Sequence, residues 1–291
     1  MVDGQPALDL LDEDGQVRRR TTVLTATLIA TVLSLSACSS SDQPKAAGPT
    51  SASPTSAPSP PPAPPRHACY ALDFAQAAEP TTSAPPVPCR SGHTAATIAV
   101  GTIDPVADGH LLAVDSDTVQ RQIANRCRAR LASYLGGDEQ TRRLSRLAVV
   151  WFSPSLSQSD QGATWFRCDL VALAGHDQLA PLPRRTRDLL AADGALDRYG
   201  TCGTAAPSAA HFQRVICSAP HTWRARATID LPRGSRYLSK AAGAAADASC
   251  RDIESRAASD VLKLKWSFEW PTQDQWAAGQ RYGYCWTPDP A

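Results

Sequence analysis

The sequence predicts an α+β protein made of two tandem small repeats, each an antiparallel sheet packed with one helix and stapled by disulfides. Three observations predict it. The spelling Val-x-Cys-x3-His occurs twice, as "VPCRSGH" at 87–93 and "VICSAPH" at 215–221, at a constant offset of 128 residues. Each half closes on a Pro, a Gly eight residues on and a Cys six further: Pro154, Gly162 and Cys168, then Pro271, Gly279 and Cys285. Each half also carries four cysteines, Cys69, Cys89, Cys127 and Cys168 against Cys202, Cys217, Cys250 and Cys285. Their offsets shrink steadily along the chain, as expected if the second copy has shorter loops.

The chain opens with sequence that is not fold. Arg18, Arg19 and Arg20 precede "TTVLTATLIATVLSLSA", an uncharged run ending at Ala37, which reads as a secretory signal over 1–37. At 17 residues it lies at the lower limit for spanning a ~30 Å hydrocarbon core. The acidic stretch Asp9 to Asp14 is foreign to such a leader and suggests a start further along, at Val17. Leu35-Ser36-Ala37-Cys38 resembles a bacterial lipobox, so Cys38 is expected to be diacylated and to become the first mature residue. Residues 38–67 are rich in Ser, Pro and Ala and too poor in large apolar residues to fold. They are expected to tether the fold, reaching up to roughly 90 Å if extended as polyproline.

Repeat one is read as 68–174, a linker as 175–199 with a short helix near 187–192, and repeat two as 200–288. The residues after each histidine, "TAATIAVGTI" and "TWRARATIDL", alternate as strands do. Around the third cysteines, Val119, Ile123, Cys127, Leu131 and Leu135 recur at helical spacing, as do Ala246, Cys250, Ile253, Ala257 and Val261. "LAVVWFS" and "KLKWSFEW" follow as strands with Val149 and Trp151, or Trp266, Phe268 and Trp270, on one face, and each copy ends in a strand carrying its fourth Cys.

With Cys38 set aside, eight cysteines remain in a chain expected outside the cytoplasm, so four disulfides are the default. Four cysteines per repeat permit three pairings. The expected one joins first to second and third to fourth, pinning helix to sheet.

The 29 basic and 28 acidic residues are interspersed and leave a net charge of +1, which gives no footprint for nucleic acid. His93 and His221 invite a metal or catalytic reading. No Cys-x2-Cys or His-x3-His spacing supplies a closed tetrahedral zinc set, and oxidation removes the thiolates such a set needs. Without Cys-x-x-Cys or Gly-x-Ser-x-Gly, neither thiol redox nor serine hydrolysis has its usual signature. Both histidines are therefore read as structural, with no metal, no cofactor and no catalytic residue expected. Five of the seven Trp lie in repeat two. Most are assigned to the core, and an exposed aromatic patch among them would bind a glycan or a partner.

Taken together these residues resemble the septum-formation domain family of actinobacterial envelope proteins. Its pattern is an opening Cys with an aromatic, a Val-x-Cys-x-x-Pro-His element, a helical Cys and a closing Pro-x4-Trp-x2-Gly-x5-Cys. Repeat two fits through Cys202, Cys217, Pro220, His221, Cys250, Pro271, Trp276, Gly279 and Cys285. Repeat one keeps Cys69, Tyr70, Cys89, His93, Cys127, Pro154, Gly162 and Cys168, but has Gly92 for the Pro and Ser159 for the Trp. The acidic residue that commonly follows the His is missing from both, with Ala96 and Arg224 three residues on. The resemblance implies a connection with septum formation and cell division. The expectation is a non-enzymatic lipoprotein on the extracytoplasmic face of the cell membrane. It would present tandem modules to an envelope protein, a division protein or a glycan; the rival is an envelope hydrolase acting on cell-wall polymer.

Overall fold

A computed structural model describes residues 59–107, 109–257 and 261–289. The expected signal at 1–37, the lipidation site Cys38 and most of the tether lie outside the described residues. No helix among the described residues is long and apolar enough to cross a membrane.

Repeat one runs through β1 (Cys69–Tyr70), α1 (Phe74–Ala78), β2 (Ala95–Thr102), a two-stranded hairpin of β3 (Val106–Ala107) and β4 (His110–Leu111), α2 (Asp117–Leu135) and α3 (Glu139–Leu144). It continues through β5 (Leu147–Phe152), α4 (Leu156–Asp160), β6 (Trp165–Gly175) and β7 (Gln178–Ala180). α5 (Ala195–Tyr199) leads into repeat two, with β8 (Thr201–Gly203), β9 (Arg214–Ile216), β10 (Trp223–Asp230), α6 (Lys240–Ala257), β11 (Ser267–Glu269), α7 (Gln273–Ala277) and β12 (Tyr282–Pro288).

The fold class is α+β, with two antiparallel sheets of matching order. The first is β1-β2-β6-β5, with β7 also paired to β6. The second, read in the same sense, is β9-β8-β10-β12-β11, and Val87 bridging Cys69 stands in repeat one where β9 stands in repeat two. The central pairs carry a bulge at the same place, between Thr97 and Ala99 on β2 and between Ala225 and Ala227 on β10. A bulge bends and twists its strand, so the duplication extends to the irregularities of the backbone.

Each long helix lays its apolar stripe on its sheet, and its cysteine is wholly buried there. Ser116 caps α2 by accepting from the Val119 amide, and Val119, Ile123, Cys127, Leu131 and Leu135 face inward. Cys127 joins Cys168 on β6 and Cys250 joins Cys285 on β12, each with Cα atoms 5.4 Å apart. Cys69–Cys89 and Cys202–Cys217 close the first turns, at 5.2 and 4.9 Å. The enclosed separations are 41, 35, 20 and 15 residues. By loop-closure entropy the longer pair contribute about 4 kcal/mol each and the shorter about 3.

Val149 and Trp151 share one face as expected, and β5 is buried along its whole length. Val149 and Trp151 meet the helix, while Ala148, Val150 and Phe152 meet a second core closed by Tyr70, Leu72 and Ala77. The helix read near 187–192 is only a 3-10 turn at Leu189–Ala191, because Asp188 takes a left-handed backbone with φ of 55° and interrupts it. The stretch 175–199, read as a linker, adds β7 to the first sheet and buries Leu182, Leu190 and Tyr199 in the repeat-one core.

The repeats meet along α3 and the chain around Ser145, which bridges Gly200. The Gln140 side chain accepts from the backbone and hydroxyl of Thr228 on β10, and Arg143 pairs with Asp230 at 2.6 Å.

Candidate functional site

The two Val-x-Cys-x3-His elements fold into the same turn. The Ser91 amide donates to Pro88 O and the Ala219 amide to Ile216 O, at 2.8 and 2.9 Å. The next residues, Thr94 and Thr222, donate their amides across to Tyr70 O and Gly203 O, starting β2 and β10 beside the first strand of each sheet. Within the turn each imidazole Nδ1 donates to the carbonyl two residues back: His93 to Ser91 O at 2.9 Å, His221 to Ala219 O at 2.8 Å. A carbonyl only accepts, so this bond places the hydrogen on Nδ1 and leaves Nε2 as the other ring position.

What Nε2 meets separates the copies. His93 is 2% exposed, and its Nε2 is buried without a partner. His221 turns Nε2 toward the Asp289 carboxylate at 3.6 Å, beyond hydrogen-bond range. Asp289 is held more closely by Arg224 Nε and by Arg226 at 3.3 Å, and its amide donates to Thr222 O. Burial opposes ionisation there, but the Arg224 hydrogen bond and the charges of Arg226, Arg224 and His221 outweigh it, holding the carboxyl below its usual range. The sequence showed no acid near either histidine. The one that arrives comes from the end of β12, 68 residues beyond His221, a tertiary juxtaposition that no local spacing announces.

A catalytic histidine keeps one nitrogen for its orienting partner and turns the other to the reacting group. Here the backbone takes Nδ1 in both copies, while Nε2 is sealed in the core in one and faces an arginine-bound carboxylate in the other. Cys202, His221 and Asp289 place donor atoms within 4.8 Å of one another, in the manner of a metal site. Cys202 spends its sulfur on the bond to Cys217, and Asp289 already carries two guanidinium groups. Without a thiolate this donor set does not fit zinc.

The closing Pro and Gly of each copy frame one capped turn. Pro154 and Pro271 are buried just before the N-caps Ser155 and Thr272. Each cap accepts from the amide of Gln158 or Gln275, whose side chain returns a bond to the cap amide, forming a capping box. Gly162 and Gly279 then take φ of 90° and 110°, values open chiefly to glycine.

Trp276 replaces the serine of repeat one with an aromatic cluster. It stacks on Trp270 at 6.0 Å, leans on Tyr237 at 5.8 Å and carries the Arg281 guanidinium 4.1 Å above its ring. Trp270 and Trp276 are half-buried, whereas Tyr282 and Trp286 on β12 are core.

Neither a curated protein nor a solved structure matches the chain. The profile of one family, described as septum formation, matches it twice, over residues 39–151 and 138–285. The two matches overlap across α3 and most of β5, so their bounds do not follow the cysteine-defined repeats. Together they cover well over half of the sequence. The chain belongs to the septum formation family, and its role is linked to septum formation.

Proposed function

We propose that this protein is a non-enzymatic lipoprotein of the cell envelope, anchored through Cys38 on the extracytoplasmic face of the membrane, whose tandem modules bind a partner in septum formation. The observation that supports this most is the fate of the chemistry-bearing motif. In both copies its cysteine is oxidised into a disulfide and its histidine is bonded to the backbone of its own turn. These groups build the module instead of reacting. The half-buried Trp270–Trp276 pair offers the kind of aromatic surface that a glycan or a protein side chain packs against.

A hydrolase is the second reading, favoured by one contact, His221 beside Asp289. Against it, a carboxylate already shared by Arg224 and Arg226 is a poor base, and the order of bonds around the ring is reversed from that of a catalytic triad.

The test is the intact mass of the protein recovered from membranes, before and after reduction and alkylation. A mature chain beginning at a diacylglyceryl Cys38, with no thiol free to alkylate before reduction, is the expected result. An unacylated cytosolic chain, or free thiols in the native protein, overturns the proposal.

A further inference from the structure

Between the repeats lies a cavity of about 220 Å³. Five arginines reach its wall, Arg128, Arg142 and Arg143 from helices of repeat one, Arg146 just ahead of β5, and Arg214 from β9, against a single carboxylate, Glu139. Arg143 is balanced by Glu139 and Asp230, and Arg214 makes a forked pair with Glu269 at 2.8 and 3.3 Å.

Arg146 is different. It is 3% exposed, its Nε donates to Leu173 O at 3.0 Å, its Nη2 is buried with no hydrogen-bond partner, and no carboxylate pairs with it among the described residues. Burial, and then the charge of Arg214, push its pKa down to about 10, which still leaves it a cation at neutral pH. An unpaired guanidinium out of water is costly, and chains rarely keep one without use for it. The rest of the wall mixes apolar and aromatic side chains, among them Leu131, Leu135, Tyr282 and Tyr284, with the uncharged polar groups of Ser145, Thr201, Gln275 and Gln280.

We infer that the seam between the repeats binds a small molecule through an oxyanion group, phosphate or carboxylate, for which Arg146 supplies the missing counter-charge and the leucines and tyrosines receive the carbon skeleton. A planar guanidinium matches either group with paired N–H donors. Both repeats contribute wall residues, so the site exists only in the tandem chain. The inference is independent of the anchor at Cys38, and an unacylated chain leaves it unaffected.

The experiment titrates the full-length chain with inorganic phosphate, sulfate and acetate in turn, at ionic strength held constant with chloride, following the thermal midpoint and the heat of binding. A saturable response to at least one oxyanion is expected, and the stronger of phosphate and acetate names the group. Arg146→Met should weaken that binding tenfold or more while raising the midpoint of the anion-free protein, because it removes a buried unpaired charge. A merely structural arginine would instead lower the anion-free midpoint and leave binding intact. No saturable response to any of the three anions, or unchanged affinity in Arg146→Met, overturns the inference. Should that variant fail to fold, Arg142→Gln on the same wall must weaken binding severalfold, and unchanged affinity there overturns it equally.

Discussion

Repeat one seals the face of its sheet opposite α2 with its own residues, whereas repeat two closes the corresponding face with help from repeat one. The contrast centres on three equivalent positions beside the bulge. In repeat one they are Thr97, Arg167 and Asp169, and in repeat two Ala225, Tyr284 and Trp286. Asp169 is fully buried, accepts from Thr97 Oγ1 at 2.9 Å and pairs with Arg167 Nη2 at 2.8 Å. The Arg167 guanidinium sits over the Tyr70 and Phe152 rings at 3.8 and 4.6 Å, under the cover of Leu72 and Ala77. At the same place in repeat two, Trp286 is fully buried, donates to Glu269 Oε2 at 2.9 Å and meets Phe212 edge-on at 5.3 Å. Its outer cover includes Leu144 of α3. Backbone, bulge and disulfides are common to both copies, and the face filling is not. The copy with a self-sealed face accommodates a buried ion pair there, and the copy that leans on its neighbour presents rings.

The comparison breaks most sharply at the ion pair. Arg167→Met leaves the Asp169 carboxylate buried without its counter-charge and should cost about 3–5 kcal/mol in denaturant unfolding at pH 7. Arg167→Met/Asp169→Leu, which removes both charges, should recover most of that loss. Equal losses in the two variants would show that the pair is not a coupled unit.

Dependence of repeat two on repeat one is tested at Leu144, which is 4% exposed. Leu144→Ala should cost about 2–4 kcal/mol, with faster amide exchange appearing in β10 and β12. Exchange rising only in repeat one would place the dependence elsewhere.

The same carboxyl gives a pH signature. Burial raises Asp169 to about 6, against Arg167 and Thr97, which pull it down. A folded-state value above the unfolded 3.8 means that the folded state binds the extra proton, so stability should rise as pH falls from about 6 towards 4. Asp169→Asn should flatten that window, and an unchanged profile would assign it to another group.

Smallest are the caps. Ser155→Ala and Thr272→Ala should each cost about 1 kcal/mol, alike in the two copies, because the capping box is the same in both. Unequal costs would mean that one turn is held by its surroundings instead.

Features that repeat locally were open to reading. The helical stripes through Cys127 and Cys250 and the strands after each histidine follow from spacing within a few turns of chain. The coincidence of Gln158 with Gln275 was visible too, and Ser155-x-x-Gln158 carries the signature of a capping box that would have explained it. Other features needed the third dimension. Nothing about Asp289 announces His221, because their meeting depends on how β12 lies beside β10. The run "LAVVWF" does not say that a second layer will cover its other face, nor does a lone Arg146 ahead of it declare that its Nη2 will find no hydrogen-bond partner among the described residues.

The four disulfides follow one another along the chain without crossing, the last residue of each loop preceding the first of the next. Under mechanical load this arrangement acts as a series of covalent short cuts. Tension arriving from the N-terminal side passes from Cys69 to Cys89 and from Cys127 to Cys168 without stretching the chain between them. The 41-residue separation alone withholds about 140 Å of contour from extension. A molecule pulled between a membrane and a distant partner would lengthen only in the stretches between short cuts, and reduction would show as a step increase in the length released.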